Sequence, residues 1–560
     1  MLTVSGNTIA VSTKTLDAEI RDGALISLKA KDGREYLVPD KAAASPVLEL
    51  LYTHNEAVPL KDANCAEIRT VSLSPTCAFI RIDALTGNGV IIVSEDEETG
   101  DLIIEPEVAS ARYGVMAARW TLGGIAPGLR VVAPFFQGVD MDPEDELLVN
   151  RRRIWPHSWE AGLCIYRDGD RGGFWVHCRD REYRSKAILL KSGPSLSLDS
   201  ETWGPVERSL AAGGLGWRIN VYEGSWHVPA AVYRDWLWEA YDLKQEEALR
   251  PDWLEDIRLA MTWCPSETAL VDALADKLKA TSISPKNVLL HLPHWRNAKY
   301  DQCYPDFTPS AEFLRFYKHA SDLGFRCMPH ANSVDMDPSM PEYLPISDFK
   351  YRELERGTLM GWGWKIGMPA SNKALVEHRA DNVMVKIHPG LALWRTILAE
   401  NIEKAMSALK GAGAADLIFL DVTLCMYNLA NALVDNTTTM QGMNRLINQI
   451  RLIHGGLAVG GEGLNEITMQ HQSFAQVHLF DFNLNGEPLE RTGKCDLNQF
   501  MFGRICKSFG YSGMGGNTPE EVIRCRVNAE HGSLPTIGAG SAAAIENPND
   551  YVRGVFESLK

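Results

Sequence analysis

Long apolar runs are missing from this 560-residue chain, so no stretch approaches the about 20 residues that a membrane helix needs. Basic runs are missing too. The Arg151–Arg153 triplet stands alone in a chain of net charge −16, which repels phosphate backbones, so nucleic acid is not expected as a partner. The eleven cysteines are an odd number, widely spaced and without a Cys-x-x-Cys pair, which speaks against a disulfide framework and for reduced thiols. The opening Met1-Leu-Thr-Val-Ser-Gly6 has no positive patch followed by an apolar core, so the expectation is a cytoplasmic protein without an export signal. No Gly-x-Gly-x-x-Gly follows an early strand and no Gly-Lys-Ser/Thr occurs, which removes the nucleotide-binding folds. No His-Glu-x-x-His or Cys/His cluster appears either, and no cofactor is expected. The 46 glycines and 28 prolines follow no period, which excludes collagen-like and low-complexity chains.

What is present has the balance of ordinary globular protein, 45% hydrophobic and 23% charged, at a length that calls for two or three domains. The texture changes near residue 240. Before it, short alternating segments end in turn signals: 25–30 before Lys31-Asp-Gly33, 78–82, 89–94, 162–166 before Arg167-Asp-Gly-Asp170, and 173–178. That spacing predicts an antiparallel β-sandwich over residues 1–228. Residues 229–256 read as a helical linker carrying Trp236, Trp238 and Tyr241. From 257 to 560 buried-type strands alternate with amphipathic helices, which predicts a (β/α)8-like TIM barrel with a helical or loop extension at its C-terminal end. The strands expected are 257–263, 288–292, 325–329, 417–420, 457–461 and 477–480. One helix is expected over 309–323, with Thr308 as N-cap, Pro309 at the first helical position and Gly324 as stop. A second runs over 394–410 and ends at Gly411.

In a barrel the active site gathers at the C-terminal ends of the strands. Those ends read Thr262-Trp263, His291-Leu-Pro-His294-Trp295, Pro329-His330-Ala-Asn332, Lys386-Ile-His388, Leu420-Asp421-Val-Thr423 and Gly461-Glu462-Gly-Leu-Asn465-Glu466. Carboxylates, amides, imidazoles and indoles at one mouth suit a sugar, because polar groups grip hydroxyls while aromatic faces stack on C–H surfaces. Asp421 closes an apolar run where the chain should leave the barrel. Glu462 follows a strand among small residues, and Glu466, one helical turn on, is its rival. Two carboxylates are the equipment of glycoside hydrolysis, one to attack C1 and one to protonate the leaving oxygen. A metal-dependent hydrolase or lyase remains the alternative for the histidines, and a non-catalytic sugar-binding protein on a degenerate barrel the alternative for the whole. Cys264, Cys303, Cys327 and Cys425 lie near strand ends but have no adjacent base.

The segments Tyr300-Asp301-Gln-Cys-Tyr304-Pro305-Asp-Phe307, Pro329-His-Ala-Asn332, Pro389 with Trp394, Leu420-Asp421 and Glu462-Gly-Leu-Asn-Glu466 carry a family resemblance. Over residues 233–480 the chain resembles the retaining α-glycosidases related to endo-α-N-acetylgalactosaminidase and the bifidobacterial α-N-acetylgalactosaminidases, with their glycosidase-like relatives. The resemblance implies a β-sandwich before the barrel, Asp421 as nucleophile and Glu462 as acid/base. It also implies sugar contacts at Trp263, Asp301 and Asn332. His291, His294, His330, His388 and Glu466 join the substrate-binding candidates from the strand ends. The insertion 350–382 adds Trp362, Trp364 and Lys365, and here the chain departs from the family, as it does in lacking an export signal and a C-terminal β module. The expected substrate is a small α-linked glycoside; the oligomeric state is left open.

Overall fold

Strand alternation dominates the first part of the chain. In Cys77–Ala84 the residues Ala78, Ile80 and Ile82 are fully buried while their neighbours are not, and the strand pairs antiparallel with both Cys65–Ser74 and Gly87–Glu95. Repeated, this pattern gives antiparallel sheets of four, ten and six strands among the described residues. The computed structural model describes residues 1–53, 56–61, 65–203, 205–350, 361–363, 383–424, 433–477 and 493–560. Two compact units result, one built on Met1–Ala240 and the other beginning at Tyr241. Helices His227–Ala240 and Leu243–Ala248 occupy the stretch where the texture changes.

The second unit is an eight-stranded parallel sheet that nearly closes on itself. Its strands are β1 (Leu259–Met261), β2 (Val288–Leu292), β3 (Arg326–Asn332), β4 (Leu417–Asp421), β5 (Ala458–Glu462), β6 (Phe474–Val477), β7 (Lys507–Gly510) and β8 (Thr536–Ile537). They pair in that order, β8 pairs with β1, and a parallel bridge from Phe509 to Leu534 draws β7 and β8 together. One core cluster holds Ala260, Leu289, Met328, Leu417, Phe419, Ala458, Phe474 and Phe509, so these positions point into the barrel. Side chains alternate along a strand with a period of two, and the next inward positions are therefore fixed.

Several expectations are corrected here. The chain beyond 480 is not only helix and loop: β7 and β8 complete the barrel, but strands of four and two residues leave no periodic signal. Lys386-Ile-His388 does not end a barrel strand; Val383–Lys386 lies in a three-stranded antiparallel sheet with Asp335–Met336 and Gly361–Gly363. The helix expected from Pro309 runs over Ala311–Leu323, and its N-cap is Ser310, whose hydroxyl accepts from the Phe313 N–H, because Thr308 is engaged by Asp306 instead. Gly324 does stop that helix, at φ 99°.

Candidate active site

Two residues beyond the apolar inward positions, every long barrel strand turns polar. Leu417 and Phe419 are followed on the inner face by Asp421, and Ala458 and Gly460 by Glu462. Met328 is followed by His330 and Asn332, and Leu289 by His291, while Ala260 precedes Thr262, Phe474 precedes Gln476 and Phe509 precedes Tyr511. These residues form the polar mouth of an apolar barrel. The small residues of β5 have a reason: a Cβ on Gly460 would lie 2.5 Å from Met328 Sδ, and one on Gly461 would lie 1.8 Å from Gln472 Nε2.

Asp421 and Glu462 end adjacent strands, one step beyond the paired Leu420 and Gly461. Glu462 Oε2 accepts the Val422 N–H at 3.0 Å, which ties it to the residue next to Asp421. Thr423 Oγ1 completes the tie, donating to the Glu462 carbonyl at 2.7 Å and accepting from the Glu462 N–H at 2.9 Å and from Gln472 Nε2 at 3.1 Å. Val422 sits at φ 63°, a costly conformation for a β-branched residue; Trp263 at 52° and Asp301 at 56° share the left-handed region. Three strained residues around one mouth are the pattern expected of a functional site.

Behind Asp421 lies a histidine pair. His291 Nε2 is 2.9 Å from His330 Nδ1, and His330 Nε2 is 3.4 Å from Asp421 Oδ2. The Trp263 N–H approaches His291 Nδ1 at 3.4 Å. Both rings pack on Phe419, with centroids 4.6 and 5.0 Å away, and both are buried. Burial holds the His291 imidazole well below its usual protonation range, and the neighbouring His330 and His294 add to this.

Aromatic rings wall the mouth. Trp263, half-buried, has Tyr300, His294 and Tyr511 within 5.4, 6.4 and 6.3 Å of its ring centroid. Burial raises the Tyr511 phenol far above its ordinary range, and the negative charges of Glu462, Asp421 and Asp301 raise it further. Tyr300 is raised in the same way, by burial first and then by Asp421 and Asp301. Both phenols thus stay protonated as hydrogen-bond donors within reach of the carboxylates' fields.

The other expected site residues fall as follows. Asp301 is fully buried and accepts from the Tyr304 hydroxyl at 3.1 Å. Asn332 folds its own turn, its Oδ1 accepting from Val334 and Asp335 N–H groups while its Nδ2 donates to Asp335 Oδ2. Asp335 in turn pairs with Lys386 at 2.9 Å. His388 is buried away from solvent, and its Nδ1 accepts from the Gly390 N–H. Glu466 is buried after the turn at Gly463, and His294 is exposed. Trp364, Lys365, Cys425 and the side chain of Trp362 lie outside the described residues. Cys264 and Cys327 are buried, which pushes the Cys327 thiol up to about 12 and Cys264 higher still, so neither is poised as a thiolate. Among the described residues no group of three or more His, Cys, Asp or Glu is placed to hold a metal ion.

Residues 216–425 match the family described as a domain of unknown function, DUF6259. No curated protein matches the sequence. Among solved structures, the ligand-free alpha-N-acetylgalactosaminidase NagBb from Bifidobacterium bifidum aligns with a TM-score of 0.66 at 12% identity, over 100% of this chain and 93% of that one. Its Gal-NHAc-DNJ complex aligns at 0.65 and 12%, and its GalNAc complex at 0.62 and 13%, each over 95% of this chain and 92% of the other. The two proteins share a fold. The resemblance read from short motifs therefore extends to the whole architecture, while identity this low leaves the chemistry of NagBb its own.

Reading the sequence missed Tyr511, Gln476 and Arg296. Tyr511 follows the buried Phe509 by the same two-residue step as Asp421 follows Phe419, which was the available signal. Gln476 Nε2 spans to Thr262 Oγ1 at 3.0 Å and links β6 to the end of β1. Arg296 donates to the carbonyls of Lys299, Gln302 and Asp306, organising the loop that presents Tyr300 and Asp301.

Proposed function

We propose that this protein is a retaining glycoside hydrolase acting on a small α-linked glycoside. The observation that carries the proposal is the placement of Asp421 and Glu462 at adjacent strand ends, with Glu462 accepting the N–H of the residue next to Asp421. Asp421 attacks C1 while Glu462 delivers a proton to the departing oxygen, giving a glycosyl ester of Asp421. Glu462, now a carboxylate, takes a proton from water, which attacks C1 and releases the sugar with its original configuration. Trp263 and Tyr300 offer ring faces to the sugar, and the two protonated phenols donate to its oxygens. A cytoplasmic setting belongs to the same proposal, supported by the odd number and wide spacing of the cysteines, and so does the stacking of the N-terminal sheets as a sandwich.

The test is a panel of nitrophenyl glycosides, led by the N-acetyl-α-galactosaminide because of the fold shared with NagBb. Asp421→Ala should lower turnover at least about a thousandfold with the fold intact. Glu462→Ala should spare substrates with acidic leaving groups, and azide should restore part of its activity as a glycosyl azide of unchanged configuration. An Asp421→Ala protein of near wild-type activity would end the proposal.

A further inference from the structure

The histidine pair behind Asp421 has a direction. A backbone N–H can only donate, so the contact from Trp263 N at 3.4 Å requires a lone pair on His291 Nδ1. The single proton of His291 then lies on Nε2, 2.9 Å from His330 Nδ1, which must accept it. That places the proton of His330 on Nε2, the nitrogen 3.4 Å from Asp421 Oδ2. A second proton on His330 Nδ1 would face the His291 N–H donor to donor. Moving the His291 proton to Nδ1 would set it against the Trp263 N–H instead.

We infer that His291 and His330 form a tautomer relay, anchored on the strained Trp263 backbone, that presents one fixed N–H of His330 to the nucleophile Asp421. The inference rests on the glycosidase reading for the word nucleophile, but the proton order does not. His291 is a positioning residue: it is fully buried, both its ring nitrogens are engaged, and it acts on Asp421 only through His330. His330 Nε2 is itself buried without a hydrogen bond of good geometry among the described residues, so the donor is poised rather than spent. Its main chain is also held, since Trp295 Nε1 donates to the His330 carbonyl at 2.7 Å, and its ring packs on Phe419. His294 and Tyr300 face the pair from the loop after β2, with Asp301 beyond them. Asp421 faces it from β4, and the charges of Asp421 and Glu462 both act on Tyr511. Asp335 is neutralised by Lys386. None of these offers His330 Nδ1 a competing donor.

The relay keeps the nucleophile restrained but reactive. A neutral N–H poised beside a carboxylate offers it a hydrogen bond without the full ion pair that an imidazolium would form, and an ion-paired carboxylate is the poorer nucleophile. Wrong-tautomer variants of positioned histidines lose activity without losing the fold, and loss of such supporting groups costs roughly 10-fold to 100-fold.

The experiment is a long-range proton–nitrogen correlation spectrum of the full-length protein labelled with 15N-histidine, with His330→Gln used to assign the His330 signals. Both rings should show the Nε2–H tautomer. In His291→Phe the His330 signals should lose that fixed signature, and kcat/KM on a hydrolysed glycoside should fall roughly 10-fold to 100-fold. His291→Gln offers one acceptor to Trp263 and one donor to His330, and should recover the signature together with most of the lost activity. A wild-type His330 carrying its proton on Nδ1 overturns the relay, and that spectrum decides even if His291→Phe fails to fold. A His291→Phe protein that loses activity while the His330 signature is unchanged overturns it as well. If no glycoside on the panel is hydrolysed, the functional reading falls and the spectrum still judges the proton order.

Discussion

Thr423 is a small residue with three hydrogen bonds between the strand ends that carry Asp421 and Glu462. Its hydroxyl engages both the N–H and the carbonyl of Glu462, together with the Gln472 amide that Gly461 admits by having no side chain. Thr423→Val keeps the volume and strips the hydroxyl, leaving the buried Glu462 N–H and Gln472 amide without it. We expect a loss of about 2 kcal/mol in urea unfolding, since unmatched buried polar groups cost more than a hydrogen bond returns. Activity should fall with it, because Glu462 keeps the Val422 N–H but loses the Thr423 ties to the end of β4; a variant as active and as stable as wild type would remove Thr423 from the account. At this scale the strand-end positions of Asp421 and Glu462 were legible in the sequence, since a single carboxylate ending an apolar run is visible without a structure. The roles of His291, Asn332 and His388 were not: composition marks them as polar strand-end residues, but which neighbour each one engages is decided by residues far away in the chain.

Helix Ala311–Leu323 shows the limit of local signals. Thr308-Pro309 has the composition of a helix start, yet the hydroxyl that accepts from the first turn belongs to Ser310. Thr308 is held by Asp306, part of the loop that Arg296 organises. Ser310→Ala should therefore cost about 1 kcal/mol of stability, the usual worth of an N-cap, while Thr308→Ala should leave this helix unaffected. Thermal or urea unfolding of the two variants side by side separates them, and the reverse order would restore the start read from sequence. The long strands β2 to β5 and the helix ending at Gly411 were legible because apolar periodicity over five or more residues outweighs noise. Strands β7 and β8 were not, because their pairing comes from barrel closure rather than from their own composition.

Taken whole, the molecule buries histidines that an unfolded chain would protonate. Burial drives His291 well below its ordinary range and His531 down to about 4. An unfolded histidine takes its proton near pH 6.5, approximately. The folded values lie below the unfolded one, so the stability from these groups is present above about pH 6.5 and is lost as pH falls from there toward about 4. At pH 5 the cost is about 2 kcal/mol for His531, and His291 acts in the same direction. The buried carboxylate Asp199, lowered by Arg119 and Arg152, acts in a window at lower pH and does not cancel this. Unfolding free energies at pH 7.5 and pH 5 should differ accordingly in the barrel unit; equal values would contradict neutral burial.

The claim on which the rest depends is that Asp421 bonds covalently to sugar. Glu462→Ala, mixed with an α-glycoside bearing a dinitrophenyl leaving group, should accumulate the intermediate because the second step lacks its base. Peptide mass spectrometry after rapid acid quench should then find one glycosyl residue on the peptide that contains Asp421. A hydrolysed substrate with no adduct, or an adduct mapped to Glu466 or Asp301, would contradict the account.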